Sequence, residues 1–164
     1  DYIKCKYYNV IWEKVKNMDN NLKRNIILEN YKNPKNKGLI DDSSYIFSNT
    51  NNESCIDEVN LMAKIIDNKI NDIRFDGESC AICTSSASIM TNLLKEKTIT
   101  EAEQIYCNFE NMLEGKQYDS DILKEANVYD DIAKQPSRKK CALLPWIGME
   151  KIIKSHKQTI EENK

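Results

Sequence analysis

Four side chains could do chemistry together: Cys55, Asp57, Cys80 and Cys141. Cys55 and Asp57 are two residues apart. In an extended chain, residues i and i+2 point to the same side, so a thiolate and a carboxylate converge there. Cys80 falls where an extended run gives way to a helical period, and Cys141 falls at the expected start of the last helix. The unpaired amides of a helix N-terminus favour an anion, and so a thiolate. Three thiolates and one carboxylate make a tetrahedral set suited to zinc. The same soft donors suit an iron–sulfur cluster. The intervals from 55 to 80 and from 80 to 141 match no compact zinc-finger spacing, so residue types carry this reading more than spacing does.

Six cysteines in 164 residues lie far below the density of a disulfide-stapled secreted scaffold, and their spacing is irregular. Thiols kept reduced for metal or sulfur chemistry are the better expectation. That points to a reducing compartment, the cytoplasm or an organelle matrix or stroma. Cys5, Cys83 and Cys107 are expected to be small apolar residues outside the site. The formal net charge of −2 gives no electrostatic case for nucleic acid or an anionic membrane. No apolar run approaches the ~18 residues of a spanning helix. Asp1 in place of a starting methionine reads as trimming or processing of a longer chain.

The elements that must position these residues follow from periodicity. Tyr8, Ile11, Trp12 and Val15 share a face of an N-terminal arm or helix within residues 1–19. A helix is expected from Asn20 to Lys32, ended by Pro34. Three strands follow: a short aromatic one over Ser44–Phe47, an alternating one over Val59–Ile65, and its partner over Ile70–Phe75. The turn Asp67-Asn68-Lys69 joins the last two, so the pairing is antiparallel. Ala81–Leu94 is a helix rich in small residues, which allows close packing. Thr100 with Glu103 fits a capping box for a helix that stops at Gly115. The acidic stretch Asp119–Asp131 holds a short helix. The last helix runs from about Ala142 to Lys157, with Pro145 in its first turn. The fold class is α+β: a three-stranded antiparallel sheet packed by helices on one face. Met62, Met90, Met112 and Met149 are expected core residues, His156 an exposed one, and Lys151, Lys154 and Lys157 a solvated face.

Several motifs occur together in order: Tyr31-Lys-Asn-Pro-Lys-Asn36, Cys55-x-Asp57, Phe75-Asp-Gly-Glu-Ser-Cys80-Ala-Ile, Ser86-Ala-Ser-Ile-Met90 and Arg138-Lys-Lys-Cys141. Over roughly residues 20–155 the chain resembles the IscU/NifU-type iron–sulfur assembly proteins, and within them the SufU branch. Residues 117–135 match a SufU-type insert. Lys140 stands where the IscU scaffolds carry histidine, and their Leu-Pro-Pro-Val-Lys motif is absent. The resemblance implies a SufE/IscU-like fold over 20–157, followed by a flexible tail over 158–164. It implies a zinc site made by Cys55, Asp57, Cys80 and Cys141. It also implies transfer of persulfide sulfur from a SufS-type cysteine desulfurase to an acceptor, here assigned to Cys55, and a SUF-type scaffold downstream. A histidine from the desulfurase would displace a cysteine from the metal. Arg138 matches a basic residue that stabilises thiolate charge or holds the partner. The alternative is a scaffold that builds and transfers a [2Fe–2S] cluster on the same ligands. Two departures bear on the site. Ile56 replaces the usual glycine between Cys55 and Asp57, and Cys83 replaces a usual serine.

Overall fold

A computed structural model describes residues 18–53 and 56–164. The N-terminal helix expected around Tyr8–Val15, and Cys55 itself, lie outside the described residues. The elements run α1 (Asn20–Lys32), β1 (Ile46–Asn51), β2 (Glu58–Ile66), β3 (Lys69–Asp76), α2 (Ala81–Leu94), α3 (Ile99–Leu113), α4 (Ser120–Leu123), a 3-10 helix (Lys124–Lys134) and α5 (Pro136–Glu162). Among the described residues no helix is long and apolar enough to cross a membrane.

The sheet has order β1-β2-β3, antiparallel throughout. Asp67 and Asn68 both take positive φ in the β2–β3 turn, the geometry that matches the twist of a tight hairpin. Alternation does the rest. Val59, Leu61, Ala63, Ile70, Ile73 and Phe75 are buried on the face that meets the helices. Helices cover this one face, as the sequence indicates. On the other face Phe47 is exposed. There the chain after α1 pairs briefly with the β3 edge, through Gly38 N–H to the Phe75 carbonyl and Phe75 N–H to the Asn36 carbonyl. It then passes Met62, whose sulfur accepts from Ile40 N–H, and enters β1 at the opposite edge. The Tyr45 hydroxyl fastens this strap by donating to Asp72 at 2.6 Å.

β1 extends to Asn51 rather than ending at Phe47. Its polar second half has little strand propensity of its own. Pairing with Val59 and Glu58 and burial of Ser48 and Thr50 under α5 hold it extended. Gly148 makes that approach possible. A Cβ there would sit 2.6 Å from Leu61 Cδ1 and 3.0 Å from Thr50 Oγ1, and the Ser48 hydroxyl donates to the Gly148 carbonyl.

Two helix starts differ from the sequence reading. The capping box is Thr98 with Glu101, not Thr100 with Glu103. Backbone bonds from Ile70 N–H to the Lys97 carbonyl and from Ile99 N–H to the Asn68 carbonyl tie residues 97–99 to the hairpin. They fix the helix start two residues earlier. α5 begins at Pro136, so Pro145 lies inside the helix. The acidic stretch is four residues of α-helix followed by a 3-10 run. Its Tyr129 meets Phe109 edge-on at 6.1 Å, and Phe109 stacks on Trp146 at 4.1 Å. Three aromatic rings thus unite α3, the 3-10 helix and α5. The four methionines are buried as expected. Cys107 is exposed rather than packed. His156 is partly covered and bonds Asn68. Of the lysine face, Lys154 and Lys157 pair with Glu150 and Glu103.

Candidate metal centre

Among the described helices, the one that Cys80 caps is the most thoroughly packed. α2 buries eleven of its fourteen residues. Small side chains permit that depth, and their hydroxyls are all engaged. Ser85 Oγ bonds the Tyr129 hydroxyl at 2.6 Å. Ser86 donates to the Ala142 carbonyl at 2.6 Å and accepts from Trp146 Nε1 at 3.1 Å. Ser88 donates to Asn30 Oδ1 and accepts from Lys35 N–H. Each hydroxyl therefore holds a different element against α2, as buried polar groups require. The Ser86 bonds fix the part of α5 that bears Cys141.

Cys80 is the N-cap of α2. Its backbone is extended, and its sulfur accepts from Cys83 N–H at 3.4 Å. Asp57 stands at the foot of β2 and is 2% exposed. Its Oδ1 accepts from Cys80 N–H at 2.7 Å, and its Oδ2 lies 3.5 Å from Cys80 Sγ. Two further contacts join the strands below. Glu58 N–H donates to the Glu78 carbonyl, and Gly77, at φ +130°, lies so close that a Cβ would fall 2.2 Å from the Glu58 carbonyl oxygen. Replacing Gly77 by Ala is expected to cost ~2–4 kcal/mol, since it combines a forbidden φ with a backbone clash. Urea unfolding of Gly77→Ala checks this.

Cys141 completes the group. One ligand atom from each of Asp57, Cys80 and Cys141 lies within 4.8 Å of the others. Cys141 sits in the second turn of α5, not at its start, because the helix begins at Pro136. Burial, followed by the adjacent Asp57 and Cys80, pushes its thiol far above the ordinary range. A divalent cation among these atoms inverts that balance. The donors fit zinc. Ligand atoms at zinc distances of ~2.0–2.3 Å stand about 3.3–3.8 Å apart in a tetrahedron, and the Asp57–Cys80 contact is already there.

Cys80 and Cys141 open into a groove of about 720 Å³ between α1, α2, the 3-10 helix and the start of α5. Arg24 and Arg138, two of the three arginines in the chain, line it. Lys23 at its edge is held by Asp130 and Asp131. The structure therefore brings together three of the four ligands read from the sequence, with Arg138 nearby. Ile56, between Asp57 and Cys55, is 88% exposed. The sequence reading did not single out Arg24. Its signal was the rarity of arginine in a lysine-rich chain.

The architecture and the carboxylate–thiol group define a class that comparison makes definite. The family described as "NifU-like N terminal domain" matches residues 22–161, and this chain belongs to that family. It is 40% identical over 131 residues to the zinc-dependent sulfurtransferase SufU of Bacillus subtilis, covering 79% of this chain and 88% of the relative. It is 31% identical to the iron–sulfur cluster assembly scaffold protein IscU of Thermotoga maritima, covering 78% and 89%. The solved structure of a candidate iron–sulfur cluster assembly scaffold protein for the SUF system, from Fervidobacterium islandicum, aligns with a TM-score of 0.74 at 34% identity, over 78% of this chain and 93% of that one.

Proposed function

We propose that this protein accepts sulfur as a persulfide for iron–sulfur cluster synthesis, with zinc held by Cys55, Asp57, Cys80 and Cys141. The observation that carries the reading is the buried Asp57 carboxylate within ligand distance of two thiols, in a chain similar to a zinc-dependent sulfurtransferase. Zinc bound there supplies the charge that keeps thiols as thiolates at neutral pH. The partner is a SufS-type cysteine desulfurase. The Cys55 thiolate attacks the outer sulfur of the desulfurase persulfide, a new S–S bond forms on Cys55, and the desulfurase cysteine leaves as thiolate. Asp57, Cys80 and Cys141 hold the site meanwhile. Arg138 and Arg24 give the groove a positive rim for an anionic sulfur or an acidic docking segment.

The test is to mix the zinc-loaded protein with a SufS-type desulfurase and measure alanine release from cysteine. Stimulation is expected, together with a mass gain of one sulfur on the protein. Unchanged alanine release overturns the transferase role. The scaffold reading draws on the IscU relatives and on the suitability of soft ligands for iron. A stable cluster formed anaerobically and passed intact to an apo-acceptor would favour it.

A further inference from the structure

Cys80 and Cys83 stand at the N-cap and third positions of α2, with the Cys83 amide donating to the Cys80 sulfur. This arrangement places two thiols on one helical turn, whatever fold surrounds it. Their exposures differ. Cys80 is half-buried and lines the open groove, whereas Cys83 is 0% exposed and belongs to the core just behind it. A small molecule in the groove reaches the first sulfur and not the second.

We propose that Cys80 and Cys83 are a modification site: a dithiol that a hydroperoxide closes to a disulfide, taking Cys80 out of the metal-ligand set. This rests on the reading of Cys80 as a ligand. The step balances without further reagents. The Cys80 thiolate attacks the O–O bond of the peroxide, giving a sulfenic acid on Cys80 and releasing hydroxide or an alkoxide. The Cys83 thiol then attacks the sulfenic sulfur, the S–S bond forms, and water leaves. The two sulfurs lose two electrons in total, and the peroxide oxygen gains them.

The Cys141 sulfur also lies within 4.8 Å of the Cys80 sulfur and is the rival second thiol. What favours Cys83 is its place on the same helical turn as Cys80. Residues i and i+3 of a helix have Cβ atoms ~5–6 Å apart, and a disulfide needs ~3.8 Å. Closing that gap takes movement only at the N-cap, where the backbone is extended rather than helical. The loop is three residues, so little chain entropy is lost. A bond to Cys141 would instead cross between two helices that the Ser86 bonds already hold together, and the fragment map below separates the two pairings. With Cys80 bound to Cys83, a four-ligand site keeps three ligands and loses a thiolate charge. Reduction restores it.

The test uses the full zinc-loaded chain and hydrogen peroxide, with two readouts. Residues 75–95 lie between Arg74 and Lys95, so one tryptic fragment carries both thiols. That fragment, mapped without reduction, is expected to become two hydrogens lighter. Zinc released to a chromogenic chelator should rise in step and be taken up again after dithiothreitol. The Cys83→Ser variant should load zinc like the wild type and lose it roughly tenfold more slowly. If zinc leaves while the 75–95 fragment stays reduced, or if that fragment is joined to the 141–151 fragment, the proposal fails. Equal zinc loss from Cys83→Ser also overturns it. Should that variant not fold, the wild-type fragment map decides alone. Zinc content before oxidation tests the metal reading separately, and the fragment map of metal-free protein tests the dithiol separately.

Discussion

Asp57→Ala is expected to leave a folded protein that no longer retains zinc, where the wild type holds about one ion per chain. Asp57 does two jobs. It is the carboxylate of the proposed ligand group, and it accepts the Cys80 N–H that orients the α2 cap. Removing an outer-shell partner of a metal already costs ~10–100-fold in affinity, and removing a ligand costs more. Asp57→Asn separates the two jobs. Its amide oxygen still accepts from Cys80 N–H but carries no charge, so it should keep the fold and bind zinc weakly. Metal analysis after gel filtration and competition with a chelator read both variants, with circular dichroism as the fold control. Wild-type occupancy in Asp57→Ala would refute the ligand assignment. The pH response has a definite sign. Burial, Asp57 and Cys80 all favour the protonated Cys141 thiol in the metal-free chain, so zinc must displace a proton to bind. Occupancy at limiting zinc therefore rises with pH and falls as protons compete in acid.

The second large effect is on stability. Trp146→Ala is expected to destabilise the fold by ~3–5 kcal/mol, the usual cost of truncating a fully buried tryptophan. Trp146 has no exposed surface, stacks on Phe109 at 4.1 Å with planes 14° apart, and donates from Nε1 to Ser86. Against a typical domain stability of ~5–15 kcal/mol, that is a large share. Trp146→Phe keeps a stacked ring and loses the hydrogen bond, and should cost nearer ~1–2 kcal/mol. Urea denaturation followed by circular dichroism measures both. A loss under 1 kcal/mol for Trp146→Ala would contradict the packing described. Since Ser86 also binds the carbonyl next to Cys141, Trp146→Ala should weaken zinc retention too.

The sequence revealed some of this and hid some, for identifiable reasons. Residues 20–32 and 81–94 were legible as helices because period and stop signals agree there. The β2–β3 hairpin was legible because strict alternation flanks a turn made of Asp67 and Asn68. The second half of β1 was hidden, since Ser48, Asn49, Thr50 and Asn51 become a strand only through β2 and α5. Pro136 marked the start of α5, but Pro145 offered a competing signal further on. Of the site, the residue types were legible singly. Their convergence was not, because no local pattern brings residue 57 to 80 and both to 141. Only the family resemblance connected them.

The three engaged serines of α2 have a consequence for how the molecule opens. Amide exchange with solvent proceeds through partial openings, and segments with the most buried contacts open last. With Ser85, Ser86 and Ser88 each fastening a separate neighbour, α2 cannot leave before the 3-10 helix, α5 and α1 have all let go. Its amides should therefore be among the slowest to exchange, close to the global unfolding limit, while the strap over the outer sheet face exchanges early. The body of α2 behind Cys80 would keep its place through almost every fluctuation short of complete unfolding, so that movement at the head of the helix is confined to its N-cap.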